Sequence, residues 1–292
     1  MLVVLIIVLG TFYYNYKNHK IYEVKENALS YSKNRGSPNY EIALQSSNVS
    51  YNVYEITYES RPLINFSTTI YALLFMPKNK ENVPALLFLP AGGGAKEGRA
   101  PLAIDLAKQG YAVMTIDQRG VGQTGGYYLN FEDDYNVFIE GYEPVQHLSV
   151  YDALSAFDVL REIENIDKDN IAISGESMGG RYAIIAAALD DRIKGALIIS
   201  SAGFHIKQIP SLSANPYFAS IDPDNYIGKI APRQLIMMHA ENDSIISLAD
   251  AQLTFSKANE PKKFYLIGGC QHGYCDKMHD ALMESLKKIF IS

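Results

Sequence analysis

Six short apolar runs constrain this chain more than any other feature: Ala85–Leu89, Ala112–Ile116, Ile171–Ile173, Ala196–Ile199, Leu235–Met238 and Phe264–Ile267. None alternates with polar residues, so each reads as a strand covered on both faces, as in a parallel sheet. Helical patterns separate most of them. Ala100 to Gln109 is one, and Leu148 to Ile163 is another, with Tyr151, Leu154, Phe157, Leu160 and Ile163 on one stripe. Met278 to Phe290 closes the chain, with Ala281, Leu282, Leu286 and Ile289 facing inward. Upstream, Val53–Tyr58 and Thr69–Phe75 alternate like half-exposed strands and read as an antiparallel pair leading into the sheet. The expected class is α/β, a mostly parallel sheet with helices on both faces. Ligands on such sheets sit at the carboxyl ends of the strands.

One strand end carries chemistry. Ile171-Ala-Ile173 leads through Gly175-Glu176-Ser177-Met178-Gly179 into an Ala/Ile-rich helix. A strand that becomes a helix within two residues strains the corner residue and leaves no room for side chains beside it, hence Gly175, Gly179 and Gly180. The corner lifts the Ser177 hydroxyl above the sheet edge at a helix N-terminus. A plain glycine-rich turn is the bland reading of the same residues.

A serine hydroxyl needs a base, and the base needs an orienting carboxylate. Of six histidines, His272 lies in the loop Gly268-Gly-Cys-Gln-His-Gly273 between the last strand and the last helix, at the correct edge. His279 is the alternative. For the acid, "HAENDSII" offers Asp243, with Glu241 as fallback, and gives the chain order Ser, Asp, His. The oxyanion donors are expected to be the Met178 amide and the Gly92 amide of Ala91-Gly-Gly-Gly94. Nothing in this chemistry asks for a cofactor or a metal.

The segments "LLFLPAGGG", "TIDQRGVGQTGG", "ISGESMGG", "HAENDSII" and "GGCQHG" together resemble the successive motifs of the α/β-hydrolase superfamily. More narrowly they resemble its dienelactone-hydrolase-like and prolyl-oligopeptidase-like branch, from about Val53 to the C-terminus. The resemblance implies an eight-stranded hydrolase fold with Ser177 as nucleophile, Asp243 as acid and His272 as base. It also implies that Asp117-Gln118-Arg119-Gly120 is a structural turn near the pocket, with Arg119 in a buried ion pair. Two departures stand out. Pro90-Ala91 replaces the His-Gly of many relatives, and dienelactone hydrolases proper use a cysteine nucleophile.

The remaining chain organises around this domain, expected over residues 41–292. A net charge of −6 argues against a nucleic-acid partner. Residues 1–14 are almost wholly apolar and read as a hydrophobic anchor or signal-like segment, although 14 helical residues reach only about 21 Å of a ~30 Å bilayer core. Attachment to a membrane through this segment is expected, with the side open between a cytoplasmic and an extracytoplasmic or secreted body. Residues 15–40 read as a polar tether. Cys270 and Cys275 are expected as two ordinary thiols, with a disulfide in an oxidising compartment as the alternative; a zinc site would need further ligands. An aromatic and acidic insertion spans about 127–147, with Tyr127, Tyr128, Phe131, Tyr135, Phe138 and Tyr142 among Glu132, Asp133, Asp134, Glu140 and Glu143. It reads either as a flap that disfavours anionic acyl groups or as a surface loop packed by its own rings. The function expected is a serine carboxylester hydrolase acting on a small-molecule ester through an acyl-enzyme. The alternatives are a serine exopeptidase of acylaminoacyl or dipeptidyl type and a membrane-tethered binding protein without chemistry.

Overall fold

All six apolar runs and both alternating stretches are strands in the computed structural model, which describes residues 22–25, 27–63, 66–127, 130–206 and 215–291. A hairpin of β1 (Tyr22–Lys25) and β2 (Ala28–Tyr31) stands apart from the main sheet. The main sheet opens with three antiparallel strands, β3 (Tyr40–Ser47), β4 (Tyr51–Leu63) and β5 (Phe66–Pro77). Then follow β6 (Val83–Leu89), α1 (Ala100–Gln109), β7 (Ala112–Ile116), α2 (Phe131–Ile139) and α3 (Val145–Glu162). The second half contains β8 (Ile166–Glu176), α4 (Met178–Leu189), β9 (Gly195–Ile199), α5 (Pro216–Ile221), β10 (Gln234–Ala240), α6 (Leu248–Ser256), β11 (Lys262–Ile267) and α7 (His279–Ile291).

The sheet order is β11-β10-β9-β8-β6-β7-β5-β4-β3, parallel from β11 to β7 and antiparallel beyond. Among the described residues the main sheet thus has nine strands where the resemblance implied eight. The edge strand β3 is exposed along nearly its whole length, so it has no inside–outside alternation to betray it. Along β6 the side chains divide by parity. Ala85, Leu87 and Leu89 join one core with residues of α3 and α4, while Leu86 and Phe88 join the other with residues of α1 and α7. That two-sided burial is why the runs are uninterrupted.

The stretch expected as a tether is folded from Tyr22 onward. Leu29 and Tyr31 are buried in the core, and the Leu29 amide donates to Tyr226 Oη at 2.7 Å. Tyr31 Oη lies 2.6 Å from a Glu143 carboxylate oxygen. Arg35 donates to Asp158 at 2.6 and 3.0 Å and to Asp190 at 2.6 Å. Isolated apolar residues in a polar stretch carry no periodic signal, so the strap was invisible as sequence. Residues 1–14 lie outside the described residues, among which no helix is long and apolar enough to cross a membrane.

From Phe131 to Ile139 the insertion is a helix, not a loop. Asn130 caps α2 by accepting from the amides of Glu132 and Asp133. Asp134 is fully buried and accepts from the Val145 and Gln146 amides at 2.5 and 3.0 Å. It therefore caps α3, whose own N-cap residue, Pro144, has no side-chain acceptor. Two rings of α2 meet rings of α5: Tyr135 stacks on Phe218 at 5.7 Å, and Phe138 meets Tyr217 at 5.5 Å. The anionic-flap expectation finds no support here. Asp134 and Glu143 are taken into buried structural contacts, and Glu132, Asp133 and Glu140 face solvent.

Candidate active site

β8 ends at Glu176 and α4 begins at Met178, so Ser177 alone turns the chain, at φ 54° and ψ −116°. A side-chain-bearing residue in that region costs on the order of 1–3 kcal/mol. The surroundings enforce it. A Cβ on Gly175 would overlap the Gly179 backbone, and one on Gly179 would overlap the carbonyls of Leu89 and Pro90. The backbone of the turn is also fixed by bonds: the Ser177 amide donates to Ile199 O at 3.0 Å, and its carbonyl accepts from Ser201 Oγ at 2.7 Å. The residue as a whole remains half-buried rather than sealed in the core.

β8, β10 and β11 are parallel, so the loops after them open at the same rim. Asp243 follows β10 and His272 follows β11. His272 Nδ1 lies 2.9 and 2.8 Å from the two oxygens of Asp243. Burial alone would raise the Asp243 carboxyl, but the amides of Ile246 and Ile245, each 2.9 Å from Oδ1, and the imidazole hold it below the ordinary value. An ionised carboxylate on Nδ1 leaves Nε2 as the ring's free edge. No hydrogen bond joins Ser177 Oγ to His272 in this arrangement; such contacts commonly tighten only with substrate bound. The alternatives are placed elsewhere. His279 begins α7, 3.2 Å from Tyr274 Oη, and Glu241 is exposed without a bond to His272. His239 is buried beside Asp243 and held neutral, burial lowering its proton affinity.

The loop after β6 is shaped by a residue whose role here the sequence alone did not reveal. Gln118 accepts from the Gly93 amide at 2.9 Å and donates to Pro90 O at 3.0 Å, while the Gly94 amide turns back to Ala91 O at 2.8 Å. The amides of Gly93 and Gly94 are thereby used within the loop, and Gly92 stands exposed at its turn. Pro90 O meanwhile abuts Gly179, so this loop lies directly against the start of α4. The Met178 amide, first of that helix, has no intrahelical acceptor. The neighbour of Gln118 in the "DQRG" turn, Arg119, is fully buried and pairs with Asp152 at 2.7 and 2.6 Å.

Cys270 and Cys275 are joined as a disulfide, with Cα atoms 6.1 Å apart, across the loop that carries His272. This corrects the expectation of two thiols: the reversal of the chain between β11 and α7 brings the pair within bridging range.

Residues 36–204 match the acetyl xylan esterase family (AXE1). The chain belongs to that family. It is a hydrolase acting on carboxylic esters, with a small-molecule ester as substrate. Among curated relatives, YfhR of Escherichia coli (strain K12) is 23% identical over 218 residues, covering 72% of this chain and 71% of that one. The putative hydrolase YtaP of Bacillus subtilis (strain 168) is 32% identical over 148 residues, 46% of this chain and 49% of YtaP. Acetyl xylan esterase 1 from Thermoanaerobacterium sp. JW/SL YS485 superposes with a TM-score of 0.73 at 17% identity, covering 87% of this chain and 89% of that one. A glucuronoyl esterase from Solibacter usitatus gives 0.67 at 15% identity, covering 92% and 89%. At these identities the structural likeness establishes the α/β-hydrolase fold of this family member.

Proposed function

We propose that this family member is a serine esterase that removes small acyl groups, acetyl foremost, from carbohydrate hydroxyls through an acyl-enzyme on Ser177. The observation that carries the reading is the Asp243–His272 pair opening at the same rim as a strained serine corner. His272 Nε2 takes the hydroxyl proton as Ser177 Oγ attacks the ester carbonyl, and Asp243 steadies the imidazolium through Nδ1–H. The amides of Met178 and Gly92 receive the oxyanion, each worth about 3–4 kcal/mol in the transition state. His272 returns the proton to the departing alcohol, then draws one from the water that frees the acid. The carbohydrate part of the proposal rests on the family description and on the naming of the superposed esterases.

Within the superfamily, the five motifs support a place near the dienelactone-hydrolase-like and prolyl-oligopeptidase-like branch. The exopeptidase alternative comes from that likeness and has no observation of its own in its favour. The test uses p-nitrophenyl acetate, acetylated xylo-oligosaccharides and aminoacyl p-nitroanilides on the purified chain. We expect turnover of the esters, and a fall of about 10⁴- to 10⁶-fold in kcat for Ser177→Ala at unchanged Tm. Ester turnover that survives that substitution, or faster cleavage of the anilides, would overturn the proposal.

A further inference from the structure

Glu176 immediately precedes the nucleophile, and Arg99 stands at the N-cap of α1. Their side chains meet through two parallel bonds, Nε to Oε2 at 2.7 Å and Nη2 to Oε1 at 2.5 Å. The Glu176 side chain is only 5% exposed and that of Arg99 33%, so the carboxylate is withdrawn from water and held by one cation. Directly over the pair lies Gly273, the residue after His272, with φ +93°. A Cβ there would overlap Glu176 Oε1 and come within 3.1 Å of Arg99 Nη2. An ion pair at this depth gains little net stability over apolar packing. Its placement is what calls for a role.

We infer that Arg99 and Glu176 are positioning residues for His272: their ion pair is the floor on which the Gly273 backbone rests, setting the height of the imidazole over Ser177. The inference depends on the esterase reading given above. The other restraints on the loop act differently. Asp243 grips the ring from the side of β10, and the Cys270–Cys275 bridge closes the loop at its base. Neither sets how far the loop sinks toward the elbow. The Arg99–Glu176 contact does, and it also ties the base to the nucleophile, because Glu176 and Ser177 are adjacent in the chain. A loss of this floor moves the base by a fraction of an ångström to an ångström, enough to cost on the order of 10-fold or more in rate.

Charge makes the role separable from plain stability. The charged and titratable groups facing the loop are Asp243 and His239 from β10 and its following turn, Glu241 across Gly268, and Lys277 across Gly269. Tyr274 and Asp276 follow on the loop itself, with His279 and Asp105 beside Tyr274, and Arg99 and Glu176 lie below. Glu176→Gln leaves a lone guanidinium beneath the base, which disfavours the imidazolium. Arg99→Gln leaves a lone carboxylate, which favours it. The acid limb of kcat/KM is therefore expected to move to lower pH in the first variant and higher pH in the second, by about half a unit each. In both, kcat should fall about tenfold while KM stays within threefold. The double variant should return the limb to its original pH and keep the low kcat. Arg99→Lys, which keeps the charge but not the paired bonds, should leave the limb in place with a smaller loss.

The measurement is a pH series of p-nitrophenyl acetate hydrolysis for all four variants, beside wild type and Ser177→Ala. Limbs that stay put or move together, with kcat within twofold of wild type, would overturn the inference while leaving the esterase intact. Wild-type turnover that persists in Ser177→Ala would instead remove the esterase reading. Should Glu176→Gln fail to fold, Arg99→Gln and Arg99→Lys still decide the matter. A limb shift in the first and none in the second supports the floor, and equal profiles refute it.

Discussion

At the rim where the loops after β8, β10 and β11 open, the backbone does most of the holding. Gly175 and Gly179 pack main chain against main chain, the Gln118 amide braces a glycine loop, and the His272 side chain keeps 19% of its surface exposed. Across the domain, α2, α5 and the strap from Ala28 to Arg35 are held by buried polar side chains instead. Asp134 caps α3 from another helix, His147 reaches Ser220 at 2.6 Å, and Arg35 bridges Asp158 and Asp190. The contrast teaches where each kind of constraint suits. Catalytic atoms need fixed positions with an open face, which close-packed backbone supplies. A covering layer can be secured by desolvated polar pairs, because nothing has to enter it. Damage to the first should cost rate, and damage to the second should cost stability.

Asp243→Asn is the sharpest test of that division. The amide can still accept from Ile245 and Ile246 at one oxygen, so the turn after β10 should persist. It cannot anchor Nδ1–H and stabilise the imidazolium as a carboxylate does. We expect kcat to fall by about 10⁴-fold with Tm nearly unchanged. Retention of more than a tenth of the rate would mean that Asp243 does not orient His272, and Glu241 would then be the group to examine.

The same contrast explains what was readable in the chain. Ser177, Asp243 and His272 could be put forward as candidates because glycine spacing and order along the chain are local signals, and the strands could be placed because burial on both faces erases polar residues. Gly92 was readable as a glycine. That Gln118 takes up the neighbouring Gly93 amide was not, since a bond between residues 25 apart leaves no pattern. Arg99 with Glu176, and Asp134 with Val145, are hidden for the same reason. The strap misled most. Leu29, Tyr31 and Arg35 are scattered through polar sequence, yet each finds a partner more than 100 residues away.

Arg35→Ala addresses that strap. The Arg35 guanidinium is 4% exposed and faces two carboxylates. Burial alone would raise Asp190, but Arg192 and Arg35 together hold it well below the usual carboxylate range. The folded value is depressed, so this stabilisation is present above the ordinary Asp range and is lost only as pH falls below it. Removing Arg35 leaves Arg192 as the remaining cation, which places the cost near the low end for a broken buried pair, about 3 kcal/mol. Urea midpoints at pH 7 would measure it. The comparison predicts that kcat for a small ester changes by less than twofold, and a larger loss of rate than of stability would show that the strap belongs to the catalytic rim after all.

The smallest effect concerns pH. His147 is fully buried beneath Phe138 and Tyr217, and burial pushes its imidazole down to about 3. The Ser220 hydroxyl donates to Tyr217 O at 2.7 Å, so the ring donates to Ser220 through Nε2 as a neutral tautomer. An unfolded histidine binds its proton near pH 6.5, and the folded one resists until about 3, so stability must fall as pH drops between those values. At pH 5 the loss amounts to about 2 kcal/mol. Asp134 opposes it: burial raises that carboxyl despite the amides of Gln146 and Val145 and the Tyr217 hydroxyl, so its protonation favours the fold as the medium becomes more acid. The shift of His147 is the larger of the two, which leaves the net effect of acidification with the histidine. Amide exchange of α2 and α5 should therefore quicken from pH 7 to pH 5, once intrinsic rates are divided out, while β8 and α4 stay protected. His147→Gln should flatten that response, and an unchanged slope in the variant would place the acid sensitivity of the covering layer in some other group.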